Sequence, residues 1–232
     1  MIHYIFTKVT TKFNYFEKRT IVSYVNVYNY LELRNSPNLL KSIDKFTLDG
    51  ILLIGCFRIL FNKKFKRLSP DFSSYFTTVF QLCNQNKKKV YFIGGSHEEM
   101  DRFVDTIQSK FPSIEIVGFT SGFFKKDESD TIIDDIKTLT TDLVFVGMGT
   151  PKQEEFAVRL KENDFQGTVY TCGAFISQTS NHGFHYYPDI VNTLHLRWLY
   201  RLIKEKGLVK RYFVLYPYSL LLILKDYLKN NK

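Results

Sequence analysis

Three places in the sequence put chemically capable side chains where they could act. The stretch DLVFVGMGTPKQEE, residues 142–155, opens with Leu143 to Val146, an apolar run that reads as a strand buried on both faces. Gly147 and Gly149 then permit a tight turn with no Cβ to keep a ligand away. Thr150 suits an N-cap, Pro151 the first helical position, and Gln153 completes a Thr-x-x-Gln capping box. Strand, glycine turn and capped helix gather unpaired N–H groups and a positive dipole end, and Lys152 adds a full charge: an anion site. The segment reads equally as an ordinary strand-to-helix turn, since two glycines are less specific than a phosphate loop. The second place is Asp49-Gly50, after the short strand Lys45 to Leu48. A carboxylate there could act as a general base, although Asp-Gly is also a common turn pair. The third is Asn26, near the end of the run Ile21 to Val27, where open α/β sheets bind ligands or where an Asn simply turns the chain.

The elements that must hold these residues follow from pattern. Residues 1–19 read as a short strand and a loop. Strands are expected at 21–27, 45–48, 89–93, 114–117, 143–146 and 168–172, with a helix from Ser69-Pro70-Asp71 to about residue 86 and others at 97–110, 127–139 and up to about 163. Gly94-Gly95-Ser96 makes a second strand–glycine–helix unit able to hold an anion, while the acids of 127–135 read as a solvated helix face and not as metal ligands. This alternation predicts an α/β fold, a mostly parallel sheet covered by helices on both faces. After Gly183 the character changes, which divides the chain into a core, 1–187, and a helical appendage, 188–232. Residues 188–204 are amphipathic, with Leu194, Trp198 and Leu202 on one stripe and Arg197 and Arg201 on another. From Lys204 onward seven Lys or Arg stand against two acids, around the apolar segment 212–224, which Pro217 interrupts. Such a segment fits a membrane-interface element, or a helix packed on the core or on a second copy of the chain.

Composition narrows the class. At 232 residues the chain supports one sizeable core, and its net charge of +9 points to an anionic partner: nucleic acid, a phosphorylated metabolite or a membrane surface. Cys56, Cys83 and Cys172 form no CxxC pair and read as thiols in a reducing compartment, not as a disulfide framework or zinc site. Neither a secretory signal nor a run of ~18–20 apolar residues is visible, so a cytosolic protein is expected, at most peripheral to a membrane. A non-catalytic nucleotide- or nucleic-acid-binding protein is the alternative class, though no zinc-finger or RNP signature is present.

VGMGTPKQEEF (146–156) resembles the signature VGxGxPKQE-x-W of the TagA/WecG/CpsF bacterial glycosyltransferases, and LRWLYRLIKE (196–205) is similar to their LEWLYRLxxEP block. The Asn26 segment, Asp49-Gly50, Arg67 with Asp71, FIGGS (92–96) and GFTSGFF (118–124) match in order, so the resemblance covers about residues 20–215. It implies a Rossmann-like fold and inverting, metal-independent and cofactor-free transfer of a sugar. The donor would be a UDP-sugar, commonly of the N-acetylmannosamine type. The acceptor would be a polyprenyl-diphosphate-linked sugar at the cytoplasmic membrane face, in polysaccharide, O-antigen or teichoic-acid synthesis. By resemblance Asp49 is the catalytic base, and Asn26 and Gln153 line the sugar-nucleotide pocket. Arg67, Asp71, Gly94, Gly95, Gly147, Gly149, Thr150, Pro151, Lys152 and Glu154 belong to the matched substrate-binding segments. Arg197, Arg201 and Arg211 are candidates for the diphosphates. The chain departs from the family's VGGxFDxxxGxxxRAP, reading CGAFISQTSNHGFHYYP at 172–188: Ser177 replaces the Asp, Tyr186-Tyr187-Pro188 replaces Arg-Ala-Pro, and Arg197 replaces a Glu. His182 and His185 either belong to a surface loop or restore lost charge. These departures leave the donor sugar open.

Overall fold

The computed structural model describes every residue except 13, 185, 195, 205, 206 and 230–232. Six strands, β1 (Thr20–Val25), β2 (Lys45–Leu48), β3 (Lys89–Gly94), β4 (Glu115–Thr120), β5 (Leu143–Gly147) and β6 (Thr168–Thr171), form one sheet in the order β2-β1-β6-β5-β3-β4. Every neighbouring pair is parallel. The connecting helices are α1 (Ile2–Lys8), α2 (Val27–Arg34), α3 (Pro37–Ser42), α4 (Ile51–Phe61), α5 (Tyr75–Gln85), α6 (His97–Lys110), α7 (Ser129–Thr138), α8 (Lys152–Glu162) and α9 (Phe175–His182). The C-terminal helices are α10 (Asp189–Thr193), α11 (Arg197–Lys204), α12 (Leu208–Lys210) and α13 (Tyr216–Lys229).

Strand alternation builds two cores. Val144 and Val146 of β5 join one face, with Phe156 and Leu160 of α8; Leu143 and Phe145 join the other, with Phe76 and Phe80 of α5. On that second face Phe145 stacks on Tyr170 at 5.4 Å and meets Phe76 edge-on at 5.3 Å, which is where much of the aromatic content goes. After β2 the chain crosses to the far half of the sheet, lays β3 and β4, and returns through β5 and β6 to β1. The carboxyl ends of β1, β2 and β6 therefore open where connections part, the usual ligand position in such sheets.

Several boundaries differ from the sequence expectation. The N-terminus is the helix α1, because Ile2 and Ile5, three apart, bury one helical stripe. α5 starts at Tyr75, since the Asp71 carboxylate closes the preceding turn by accepting from the Ser73 amide at 2.9 Å. Residues 188–204 form two helices, α10 and α11, and not one. Pro217 does not end the helix: a π-helical turn, Arg211–Leu215, leads straight into α13, which runs on past the proline to Lys229.

α13 is fastened to the core. Ile223 is buried in the first cluster, Ser219 Oγ donates to the Val27 carbonyl at 2.5 Å, and Asp226 accepts from Tyr30 at 2.7 Å and from Arg34 at 2.8 and 2.9 Å. Burial pushes the Asp226 carboxyl up, but the bonds from Arg34 and Tyr30 outweigh it and hold it below the usual carboxylate range. Among the described residues no helix is long and apolar enough to cross a membrane.

Candidate active site

A cleft of about 790 Å³ opens at the carboxyl ends of β1, β2 and β6, and residues of α11 and of the segment preceding α13 form its far wall. Asp49 follows β2 directly; its amide extends the ladder by donating to the Val25 carbonyl at 2.9 Å, which places the carboxylate in the cleft. Its Oδ1 accepts from Ser69 Oγ at 2.5 Å and from Arg67 Nε at 3.2 Å. Burial pushes the Asp49 carboxyl up, but the Arg67 charge and the bonds from Ser69 and Arg67 outweigh burial and hold it below the ordinary carboxylate range. Asp49 is therefore ionised at neutral pH and able to accept a proton. Gly50, at φ +81°, turns the chain into the N-terminus of α4 beside it.

Asn26 caps α2: its Oδ1 accepts from the Tyr28 and Asn29 amides, both at 2.9 Å. The turn role and the cleft role coincide, because Asn26 also lines the cleft, with an amide nitrogen left over for a ligand. Tyr24, two residues earlier, lines it too, and burial pushes its phenol up to about 12. Gly173, at φ +55°, lies so close that a Cβ would come within 2.2 Å of the Tyr24 hydroxyl.

The β5–α8 turn is arranged differently from its sequence reading. Only Gly149 and Thr150 of it reach the cleft. The α8 N-cap is Pro151, without a side-chain cap, and the Thr150–Pro151 peptide is cis. Gln153 does not close a capping box. It is fully buried, its carbonyl oxygen accepts from the Gly173 amide at 3.0 Å, and its amide nitrogen donates to Glu154 Oε1 at 2.8 Å and to Thr150 Oγ1 at 3.2 Å. Glu154, also fully buried, takes Ser23 Oγ on the same Oε1 at 3.0 Å, while its Oε2 has no hydrogen-bond partner among the described residues. Burial pushes Glu154 up to about 7, against the bonds from Gln153 and Ser23. This pair sits under the cleft floor and ties β1, the β5–α8 turn and the β6–α9 turn together. Lys152 is exposed and lies outside the cleft lining.

Gly94, Gly95 and Gly147 also lie outside that lining. A Cβ on Gly94 would meet the Gly147 carbonyl at 2.6 Å, and one on Gly147 the Gly173 carbonyl at 2.7 Å, so these two let strand ends approach under α9. The anion expected at the β3–α6 turn has its place taken by carboxylates. Ser96 and Glu99 form a reciprocal capping box, Glu98 accepts from Ser96, and Glu99 also accepts from Ser177 Oγ at 2.9 Å.

The arginines divide by partner. Arg197 donates to Asp71 Oδ2 at 2.9 Å and also to Ser73, with its guanidinium 4.4 Å from the Tyr187 ring centre. Asp71 thus answers a cation from α11. Arg201 lines the same wall. Arg211 lies over Tyr28 at 3.9 Å and makes no ion pair among the described residues, and its Nε finds no acceptor there. His182 is exposed at the end of α9, 4.9 Å from Tyr186, and His185 lies outside the described residues. Sequence reasoning missed Tyr24, Tyr28, Ser69 and Tyr187. The first two flank Asn26 at spacings that a strand end and a first helical turn make legible; Ser69 read only as part of a helix start, with nothing local to aim its hydroxyl at Asp49.

The profile of the family described as "Glycosyl transferase WecG/TagA/CpsF family" matches residues 3–232. The chain is 36% identical over 197 residues to a UDP-Gal:alpha-D-GlcNAc-diphosphoundecaprenol beta-1,4-galactosyltransferase of Shigella boydii, covering 85% of this chain and 82% of that one. It is similar to two N-acetylglucosaminyldiphosphoundecaprenol N-acetyl-beta-D-mannosaminyltransferases. That of Bacillus spizizenii is 27% identical over 75% of this chain and 65% of its own length. That of Bacillus subtilis is 25% identical over 100% of this chain and 91% of its own. With the six-stranded parallel sheet and a profile match along nearly its whole length, the chain belongs to the WecG/TagA/CpsF family of glycosyl transferases.

Proposed function

We propose that the protein is an inverting transferase that moves a hexose or N-acetylhexosamine from a UDP-linked donor to a polyprenyl-diphosphate-linked sugar. The observation that carries this reading is one ionised carboxylate, Asp49, in a cleft that also presents Arg67, Arg201 and Arg211. Asp49 takes the proton of the acceptor hydroxyl as that oxygen bonds to the anomeric carbon. The bond from that carbon to the diphosphate oxygen breaks, and its electron pair leaves with UDP. The leaving diphosphate's growing charge is met by the arginines without a metal, and the Asn26 amide, Gly149 and Thr150 hold the donor. Arg211 is the cation best placed for a phosphate, being stacked and without a carboxylate partner among the described residues.

The N-acetylmannosamine-type donor comes from the family resemblance. The 36% identity to a protein named for UDP-Gal supports galactose as a second reading. Exposed Val209, Phe213, Val214, Leu221 and Leu228 beside Lys210, Lys225 and Lys229 support peripheral attachment at the cytoplasmic face of the membrane, where such an acceptor resides. The test is a mass-spectrometric assay with UDP-galactose or UDP-N-acetylmannosamine and a short-chain polyprenyl-diphosphate-GlcNAc, with and without a chelator. An acceptor mass gain of one sugar, unchanged by chelation, is expected. No gain with any nucleotide sugar, from protein that shifts DNA in a gel, would replace the transferase by a nucleic-acid binder.

A further inference from the structure

We propose that Arg67 is an exchangeable cover for Asp49: it occupies the carboxylate while the cleft is empty and transfers to the donor's diphosphate when the nucleotide sugar binds. Asp49 is then a bare base only while a donor is in place. This rests on the donor reading above.

The two partners of Asp49 Oδ1 are held in unlike ways. Ser69 is buried, its hydroxyl lies at 2.5 Å, and its own amide is fixed by Ser74 Oγ at 3.1 Å. Arg67 comes from a loop without regular structure, its side chain is 28% exposed, and it touches Asp49 through Nε alone at 3.2 Å. Its two terminal nitrogens, the fork that binds phosphate oxygens in pairs, make no hydrogen bond to any described residue. Arg67 also lines the cleft, so a diphosphate entering there meets a guanidinium whose better half is unused. A diphosphate offers more charge and more acceptor oxygens than one carboxylate oxygen already shared with Ser69. Exchange is therefore the expected outcome of binding.

The exchange would serve both ends of the reaction at once. Arg67 on the diphosphate meets the charge that grows as UDP departs. Asp49 without its counter-charge binds a proton more tightly, which a base needs. With Arg67 in place the same carboxylate is a poor base, so an acceptor arriving first meets an inactive centre. Among the described residues three phenols also sense the Asp49 charge, Tyr24 from β1, Tyr187 from the loop before α10 and Tyr216 from α13, and the cations Arg201 and Arg211 line the same cleft. Burial raises all three, so they stay neutral where Asp49 titrates.

The test follows the Asp49 titration by NMR of full-length protein carrying labelled aspartate carboxyls, assigned with Asp49→Asn, in the absence and presence of saturating UDP. Without UDP, Arg67→Gln should raise the Asp49 midpoint by about one pH unit or more. With UDP, Arg67→Gln should no longer move it, while Ser69→Ala, which removes the fixed partner, should move it equally in both states. If Arg67→Gln displaces the midpoint by the same amount with and without UDP, Arg67 stays on Asp49 and the exchange is wrong. Failure of UDP to bind at all, read separately by thermal shift, would overturn the donor reading and the exchange together. Arg67→Met, which keeps the stem, replaces the Gln variant if that one does not fold.

Discussion

The β5–α8 turn and the loop 62–74 make an instructive pair. The turn is the loudest motif in the sequence, yet its polar side chains Gln153 and Glu154 are spent inward, bracing three strand ends against one another. The loop carries only weak signals, a helix start at Ser69-Pro70-Asp71 and the pairing of Arg67 with Asp71, yet it delivers Arg67 and Ser69 to the Asp49 carboxylate. Strong local grammar here marks a scaffold, and the reactive arrangement is assembled by contacts 18 and 20 residues apart in the chain.

Substitutions can break that contrast, beginning with the largest expected effect. Asp49→Asn should lower turnover by roughly 10²–10⁴-fold while UDP still stabilises the protein, measured by acceptor mass gain and thermal shift. Turnover unchanged by this substitution would remove Asp49 as the base. Glu154→Gln should act on stability and not on proton transfer. A glutamate whose ordinary value is 4.5 is pushed up to about 7 by burial, so the folded state holds the proton more tightly between those values. The Glu154 contribution to stability is then fully present below pH 4.5 and is lost as the pH rises through about 7, by up to about 3 kcal/mol. Urea midpoints across that range should slope for the native chain and flatten for Glu154→Gln; equal slopes would place the acid outside the folding equilibrium. Arg211→Ala should raise the donor KM about tenfold, roughly 1.4 kcal/mol, with kcat less affected. A KM left unchanged would assign Arg211 to packing on Tyr28. Lys152→Ala should change donor KM by less than about 0.5 kcal/mol. A tenfold rise would show that the exposed lysine reaches the donor after all.

How much of this was legible depended on the range of the interaction. β2, β3, β5 and α6 follow from apolar runs and caps within a dozen residues, and the structure has them within a residue of where the pattern puts them. α1 escaped notice because its seven residues bury only Ile2 and Ile5 among Thr, Lys and aromatics. Asp49 could be singled out because the end of a strand in a parallel sheet is a privileged place. Its partners could not, because nothing local says which loop will fold over it. Gln153 was misread for a related reason. A capping box is a local bond, and here it loses to the Gly173 amide, 20 residues further on. At the β3–α6 turn, read as able to hold an anion, Glu98 and Glu99 supply carboxylates of their own to Ser96.

The inward-turned acid and amide of the β5–α8 turn also bear on how this protein could be re-engineered. Neither side chain reaches the cleft, so within the segment that most readily labels the chain as a glycosyl transferase only Gly149 and Thr150 face the space a donor could occupy. A homology search keyed to it retrieves a chassis. Anyone grafting a new donor preference should keep Gln153 and Glu154 as the brace and vary the lining residues Ala174, Phe175, Gln178 and Tyr187 instead.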